Sequence, residues 1–125
     1  MNEQVKKIMI VDDDPGIRDI LRIIFERGGY EVWLETDGKF IFSDLYPLPD
    51  IFLLDRYLSG MDGLEICRYL KSQDYSKHVP VVIISASPDL AQTALQAGAD
   101  GFIEKPFDLK NLLRIVEQHV ARKEL

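Results

Sequence analysis

Five side chains with chemical potential stand at the ends of short apolar runs. Asp12 and Asp13 follow Ile8-Met9-Ile10-Val11, and Asp55 ends Ile51-Phe52-Leu53-Leu54. Ser85 ends Val81-Val82-Ile83-Ile84, and Lys105 lies just past Gly101-Phe102-Ile103. Three carboxylates brought together repel, which raises their proton affinity unless a cation sits among them. Lys105 would supply one positive charge. A divalent ion would supply two more, and oxygen-only ligands point to Mg2+ rather than zinc. A carboxylate in that setting can act as a nucleophile.

For these groups to meet, the apolar runs must be strands of one sheet with their carboxyl ends on one edge. The run ending in Asp55 has no alternation, as expected of a strand buried on both faces of a parallel sheet. Between the runs lie helical patterns. Asp14 and Pro15 suit the N-cap and first position of a helix whose stripe is Ile17, Ile20, Leu21, Ile24 and Phe25, stopping at Gly28-Gly29. Val32-Trp33-Leu34, flanked by Glu31 and Glu35, reads as an edge strand with Trp33 exposed. A short helix is expected over 40–46, stopped by Pro47 and Pro49, and a third over 63–73 with Leu64, Cys67 and Leu70 inward. Ser87 and Pro88 would open a fourth helix carrying Leu90, Ala94, Leu95 and Ala97. Asp108 would cap a fifth, with Leu109, Leu112, Leu113, Val116 and Val120 as its stripe. Five strands alternating with five helices predict an α/β flavodoxin-like fold: a doubly wound five-stranded parallel sheet, order 2-1-3-4-5. In such folds ligands bind at the carboxyl edge.

The bounds agree. A chain of 125 residues suits a single domain over 1–125, and 46% hydrophobic with 29% charged residues is ordinary globular composition. A net charge of −6 without a basic cluster argues against nucleic-acid binding. The single cysteine, Cys67, fits a reducing compartment, and Met1-Asn2-Glu3-Gln4 lacks the apolar core of a signal peptide. No apolar run approaches the roughly 18 residues of a membrane span. The expectation is a cytoplasmic protein with no membrane contact. His78 and His119 fall outside every motif and read as surface or packing residues.

Each signal alone has an ordinary explanation. Asp12 to Asp14 could be capping and solvated acids, Asp55 and Ser85 turn residues, and Lys105 a surface lysine. Their joint occurrence at four strand ends is what those explanations do not cover. Order and spacing together resemble the receiver domain of bacterial two-component response regulators. The resemblance rests on the acids at 12–13, Asp55, Met61-Asp62-Gly63, Ser85-Ala86 and Lys105-Pro106-Phe107, and it covers the whole chain.

That resemblance implies that Asp55 accepts a phosphoryl group from a histidine kinase or phosphotransfer protein. It implies that Mg2+ is held directly by Asp13 and Asp55, by Asp12 through water and by the backbone carbonyl of Tyr57, and that Lys105 and Ser85 contact the phosphoryl group. Ser85 and Phe102 would form the switch, although plain packing is an equal reading of Phe102. Output would pass to a downstream protein target through the fourth helix, fifth strand and fifth helix. The chain would promote its own phosphorylation and dephosphorylation without being a turnover enzyme. Lys105-Pro106 is expected to be a cis peptide.

The sequence departs from the family at three places. Leu58-Ser59 stands where Met-Pro is common, implying a looser loop. Phe102 replaces tyrosine, and Gly101 replaces an acid frequent in DNA-binding relatives. Three other readings remain: a receiver excised from a hybrid kinase or longer regulator, a phosphorylation-independent binding module, and an aspartate-nucleophile phosphatase. The last is disfavoured because no second acid stands at Asp55 plus two.

Overall fold

Alternate residues of the central strands point to opposite sides of one sheet, and each side carries its own core. Met9, Val11, Phe52, Leu54, Val81 and Ile83 are buried in one. Ile8, Ile10, Ile51, Leu53, Val82 and Ile84 are buried in the other. This period of two is the geometry of a pleated strand buried on both faces. A computed structural model describes residues 5–123. Its elements are β1 (Lys7–Val11), α1 (Pro15–Arg27), β2 (Glu31–Glu35), a 3-10 helix (Lys39–Ser43), β3 (Ile51–Asp55), β4 (Tyr57–Leu58) and β5 (Met61–Asp62). Then come α2 (Gly63–Ser72), β6 (Val81–Ser85), α3 (Leu90–Gln96), β7 (Gly101–Glu104) and α4 (Leu109–Lys123).

The main sheet has the order β2-β1-β3-β6-β7 and is parallel throughout. Without the small β4–β5 hairpin this is the expected 2-1-3-4-5 order. The core beside α1 and α4 contains Leu21, Phe25, Leu112 and Val116, and the core beside α2 and α3 contains Ile66, Leu70, Leu90 and Ala94. Truncating a fully buried residue such as Leu53 to alanine should cost about 2–5 kcal/mol.

Several expectations need correction. The structure has four α-helices among the described residues, because the second of the expected five is a single 3-10 segment. Asp44 takes a left-handed conformation (φ 56°), and its N–H closes a three-residue turn onto the Ile41 carbonyl. The helix expected from Ser87 and Pro88 begins at Leu90, and Asp89 makes no side-chain cap. The capping groups are engaged elsewhere: the Ser87 hydroxyl meets Tyr57 and the Asp89 carboxylate meets Arg56.

Leu95 is exposed, since Leu90, Ala94 and Ala97 define the buried stripe and Leu95 turns away from it. Ile20 and Leu109 are likewise half exposed, beside Ile23 and Leu113 in an apolar groove between α1 and α4. Trp33 is half-buried rather than exposed, and its indole N–H donates to Glu31. Cys67 is core as expected, and burial pushes its thiol up to about 12. Asp14 and Asp108 cap their helices as read. The imidazole of His119 fills the space a side chain at Gly101 would need.

Candidate functional site

Strands buried on both faces meet solvent only at their ends, so the residue after each apolar run defines the rim. Asp55 is 7% exposed and Asp12 1%, both carboxylates held at the boundary between core and water. One ligand oxygen each from Asp12, Asp13 and Asp55 lies within 4.8 Å of the others. Lys105 comes from the end of β7, with Nζ 3.3 Å from Asp55 Oδ1. The Lys105–Pro106 peptide is cis. Ser85 is buried at the end of β6, where its Oγ accepts the Ser87 N–H at 3.0 Å.

The acids feel their confinement. Burial raises Asp12 above the ordinary carboxylate range; the Asp14 backbone N–H opposes this, and the charge of Asp55 adds to it. Burial likewise raises Asp55, with Lys105 pulling the other way. Asp12 Oδ1 accepts the Asp14 N–H at 2.9 Å, while its Oδ2 is buried with no hydrogen-bond partner. A buried anionic oxygen without a donor is costly unless a cation reaches it. The donor set is all oxygen, which suits a hard divalent ion. The residues therefore fit Mg2+.

Gly63 explains part of the Met61-Asp62-Gly63 pattern. Asp62 caps α2 through the Leu64 N–H, and a side chain at Gly63 would strike the backbone carbonyl of Asp55. The end of β3 and the start of α2 thus pack backbone to backbone.

Asp12, Asp13, Asp55 and Lys105 are brought together as read, and Ser85 shares their edge. Phe102 stands apart. It is 37% exposed and lines a shallow surface depression with Pro106, Phe107 and Arg114.

Three contacts around the rim were not foreseen. The Ser59 N–H and O–H both donate to Asp13 Oδ2, at 2.9 and 2.6 Å, so the turn expected to be loose is tied at both donors. The Tyr57 hydroxyl lies 2.5 Å from Ser87 Oγ. The Arg56 guanidinium donates to Asp89 at 3.1 Å and lies 5.1 Å from the centre of the Tyr57 ring. Arg56 and Tyr57 thereby bridge from the segment after β3 to the loop before α3. The only sequence signal was the Ser59-Gly60 turn, and nothing local names its partner.

A family model described as the response regulator receiver domain matches residues 8–117. The DNA-binding response regulator MtrA of Mycolicibacterium smegmatis is 33% identical over 127 aligned positions, covering 99% of this chain and 54% of that protein. The chain thus spans about half the length of the curated relatives it matches. A response regulator receiver domain protein (CheY-like) from Methanospirillum hungatei superposes with TM-score 0.86 at 27% identity, covering 97% of this chain and 98% of that one. The receiver domain of the Pseudomonas aeruginosa sensor histidine kinase PA1611, solved with magnesium coordinated in its active-site cleft, gives TM-score 0.84 at 26% identity. That match covers 94% of this chain and 99% of the other.

Proposed function

The chain belongs to the response regulator receiver family, the phosphoacceptor modules of two-component signalling, and from that membership we propose that Asp55 is its phosphoacceptor. Receiver domains exchange signals with histidine kinases and downstream effectors and are signalling modules rather than turnover enzymes. The observation that carries the assignment is the buried carboxylate of Asp55 beside two further acids and 3.3 Å from Lys105.

In this reading Asp13, Asp55 and the Tyr57 carbonyl would hold Mg2+, with Asp12 acting through water, and the ion would supply positive charge against the phosphoryl oxygens. An Asp55 carboxylate oxygen attacks phosphorus in line as the P–N bond of a donor phosphohistidine breaks, leaving an aspartyl phosphate. Lys105 opposes the effect of burial on Asp55, favouring the carboxylate form that attacks, and neutralises charge developing on the phosphoryl group. Ser85 turns its hydroxyl proton toward a phosphoryl oxygen, and this reorganises the face of α3, β7 and α4, with Phe102 moving inward. Output then passes to a protein target in the cytoplasm, and the net charge of −6 supports contact with protein rather than nucleic acid. Residues 1–125 act as one receiver unit.

Incubation with acetyl phosphate and Mg2+ tests this. The wild type should gain one phosphoryl group by intact mass and Asp55→Asn none. No uptake by Mg2+-bound wild type would favour a phosphorylation-independent binding module. Steady turnover of small phosphate esters would favour a phosphatase.

A further inference from the structure

Ser59 occupies a turn where its side chain is not needed for the turn itself. Leu58 pairs with Met61, so Ser59 and Gly60 are the two loop residues of the β4–β5 hairpin. Gly60 has φ +73° and Ser59 is not among the residues of positive φ. These φ signs are those of a type II turn, whose first central position accepts proline readily. Ser59 instead offers a backbone N–H and a hydroxyl, and both converge on Asp13 Oδ2, 46 residues away in sequence.

Asp13 is the least buried of the three clustered acids. An aspartate there, facing two like charges, would swing toward water if nothing held it. Two donors on Oδ2 hold it, and neither of them engages Oδ1. We propose that Ser59 is a positioning residue for the divalent-cation site, pinning Asp13 through one oxygen so that the other stays available to the cation. The inference rests on the reading of Asp12, Asp13 and Asp55 as that site. Two effects of the Ser59 donors compete. Hydrogen bonds withdraw some charge from the carboxylate, which weakens it as a ligand. They also order it in advance, so that the cation need not draw it back against Asp12 and Asp55. Ordering wins, because both donors sit on Oδ2 and the charge they withdraw comes mainly from that oxygen rather than from the one left for the cation. Groups that orient metal ligands in this manner are worth roughly 10–100-fold in metal affinity. The same bonds tie the hairpin that carries the Tyr57 carbonyl to Asp13, so two ligand positions are set by one residue.

Titration calorimetry with Mg2+ on the folded full chain, well below Tm, decides the matter. Ser59→Pro keeps the turn and removes both donors, and its Mg2+ dissociation constant should rise about tenfold. Ser59→Ala removes one donor and should raise it several-fold, while Ser59→Thr restores the wild-type value. A merely structural role would lower Tm in chelator without moving the constant. Ser59→Ala and Ser59→Pro both within twofold of wild type, or binding tighter, would overturn the proposal. If Ser59→Pro does not fold, the alanine and threonine variants decide it on the same criterion. A wild type in which Mg2+ neither binds nor raises Tm would overturn the cation-site reading itself, and this inference with it.

Discussion

On one flank of Asp55, Asp13 is held by two donors from Ser59, and Asp12 by the backbone of Asp14. On the other flank, Lys105 reaches Asp55 by one 3.3 Å contact, Ser85 Oγ only accepts from its own loop, and Phe102 is turned to the surface. The first flank is ordered before any ligand arrives. The second is tied by fewer bonds. On the proposed reading, the three strong acceptor oxygens of a phosphoryl group would answer the ammonium donors that Lys105 does not use on Asp55 and the hydroxyl proton of Ser85. On the proposed reading the contrast is that of a pre-built holder and a sensor, and each flank can be attacked separately.

The largest effect is expected at the sensor flank. Lys105→Met should slow phosphoryl uptake from acetyl phosphate by about 100-fold, since a charge aimed at the transferring group is lost. Mg2+ affinity should change by only a few-fold. Initial rates by intact mass measure the first and calorimetry the second. Equal losses in both would merge the two flanks into one unit.

Tyr57 sits between the flanks and tests the boundary. Its ring is more than half exposed, yet its hydroxyl is anchored on Ser87 across the rim. We expect it to obstruct the water that attacks the aspartyl phosphate. Tyr57→Ala should speed phosphate loss several-fold, about 1 kcal/mol in the barrier. Tyr57→Phe, which loses only the anchor, should fall between. Phosphate release after removal of the donor reports this, and an unchanged rate in Tyr57→Ala would show that the ring does not screen the site.

Within the holder flank the three acids should differ. Asp12→Asn keeps the acceptor for Asp14 and removes the buried, unpartnered anionic oxygen, so it should stabilise the chelated protein by about 1 kcal/mol. Asp55→Asn should gain less, because the Lys105 pair is lost with the charge. Asp13→Ala should gain nothing, because it abandons both Ser59 donors. Denaturant melts in chelator rank the three, and an equal gain in all would mean that Ser59 does not compensate Asp13.

The pH dependence has a definite sign. Asp12 and Asp55 bind their protons more tightly folded than unfolded. Between the ordinary carboxylate value of about 4 and their raised values, the folded state therefore carries more protons, and their contribution to stability falls as pH rises. Asp12→Asn should flatten that decline in chelator. A slope equal to wild type would show that Asp12 does not titrate abnormally.

The smallest and most distributed effect is a change in amide exchange. With beryllofluoride and Mg2+, protection should change at α3, β7 and α4 more than at α1 and β2. The reverse pattern would place the sensor on the wrong flank.

What could be read from the chain alone was whatever depends on neighbours within a turn or a strand. Asp14 before Pro15 caps a helix because the groups it satisfies are two and three residues away. The apolar runs at 8–11, 51–54 and 81–84, short and without alternation, read as strands buried on both sides. Once they lie parallel, the residues that end them must share one edge, so Asp12, Asp55 and Ser85 were legible together.

The failures have the opposite character. Ser59 finds Asp13 across 46 residues, Arg56 finds Asp89 across 33 and Tyr57 finds Ser87 across 30. Those last two contacts removed the cap that 87–89 would otherwise supply to α3, which is why the helix starts late. Ile20 and Leu109 fit helical stripes by type, but the width of the buried stripe is set by how closely α1 and α4 approach. Hydrophobic period is a property of one element. Which hydroxyl answers which carboxylate depends on two loops meeting at the sheet edge, and only the packed structure brings them there.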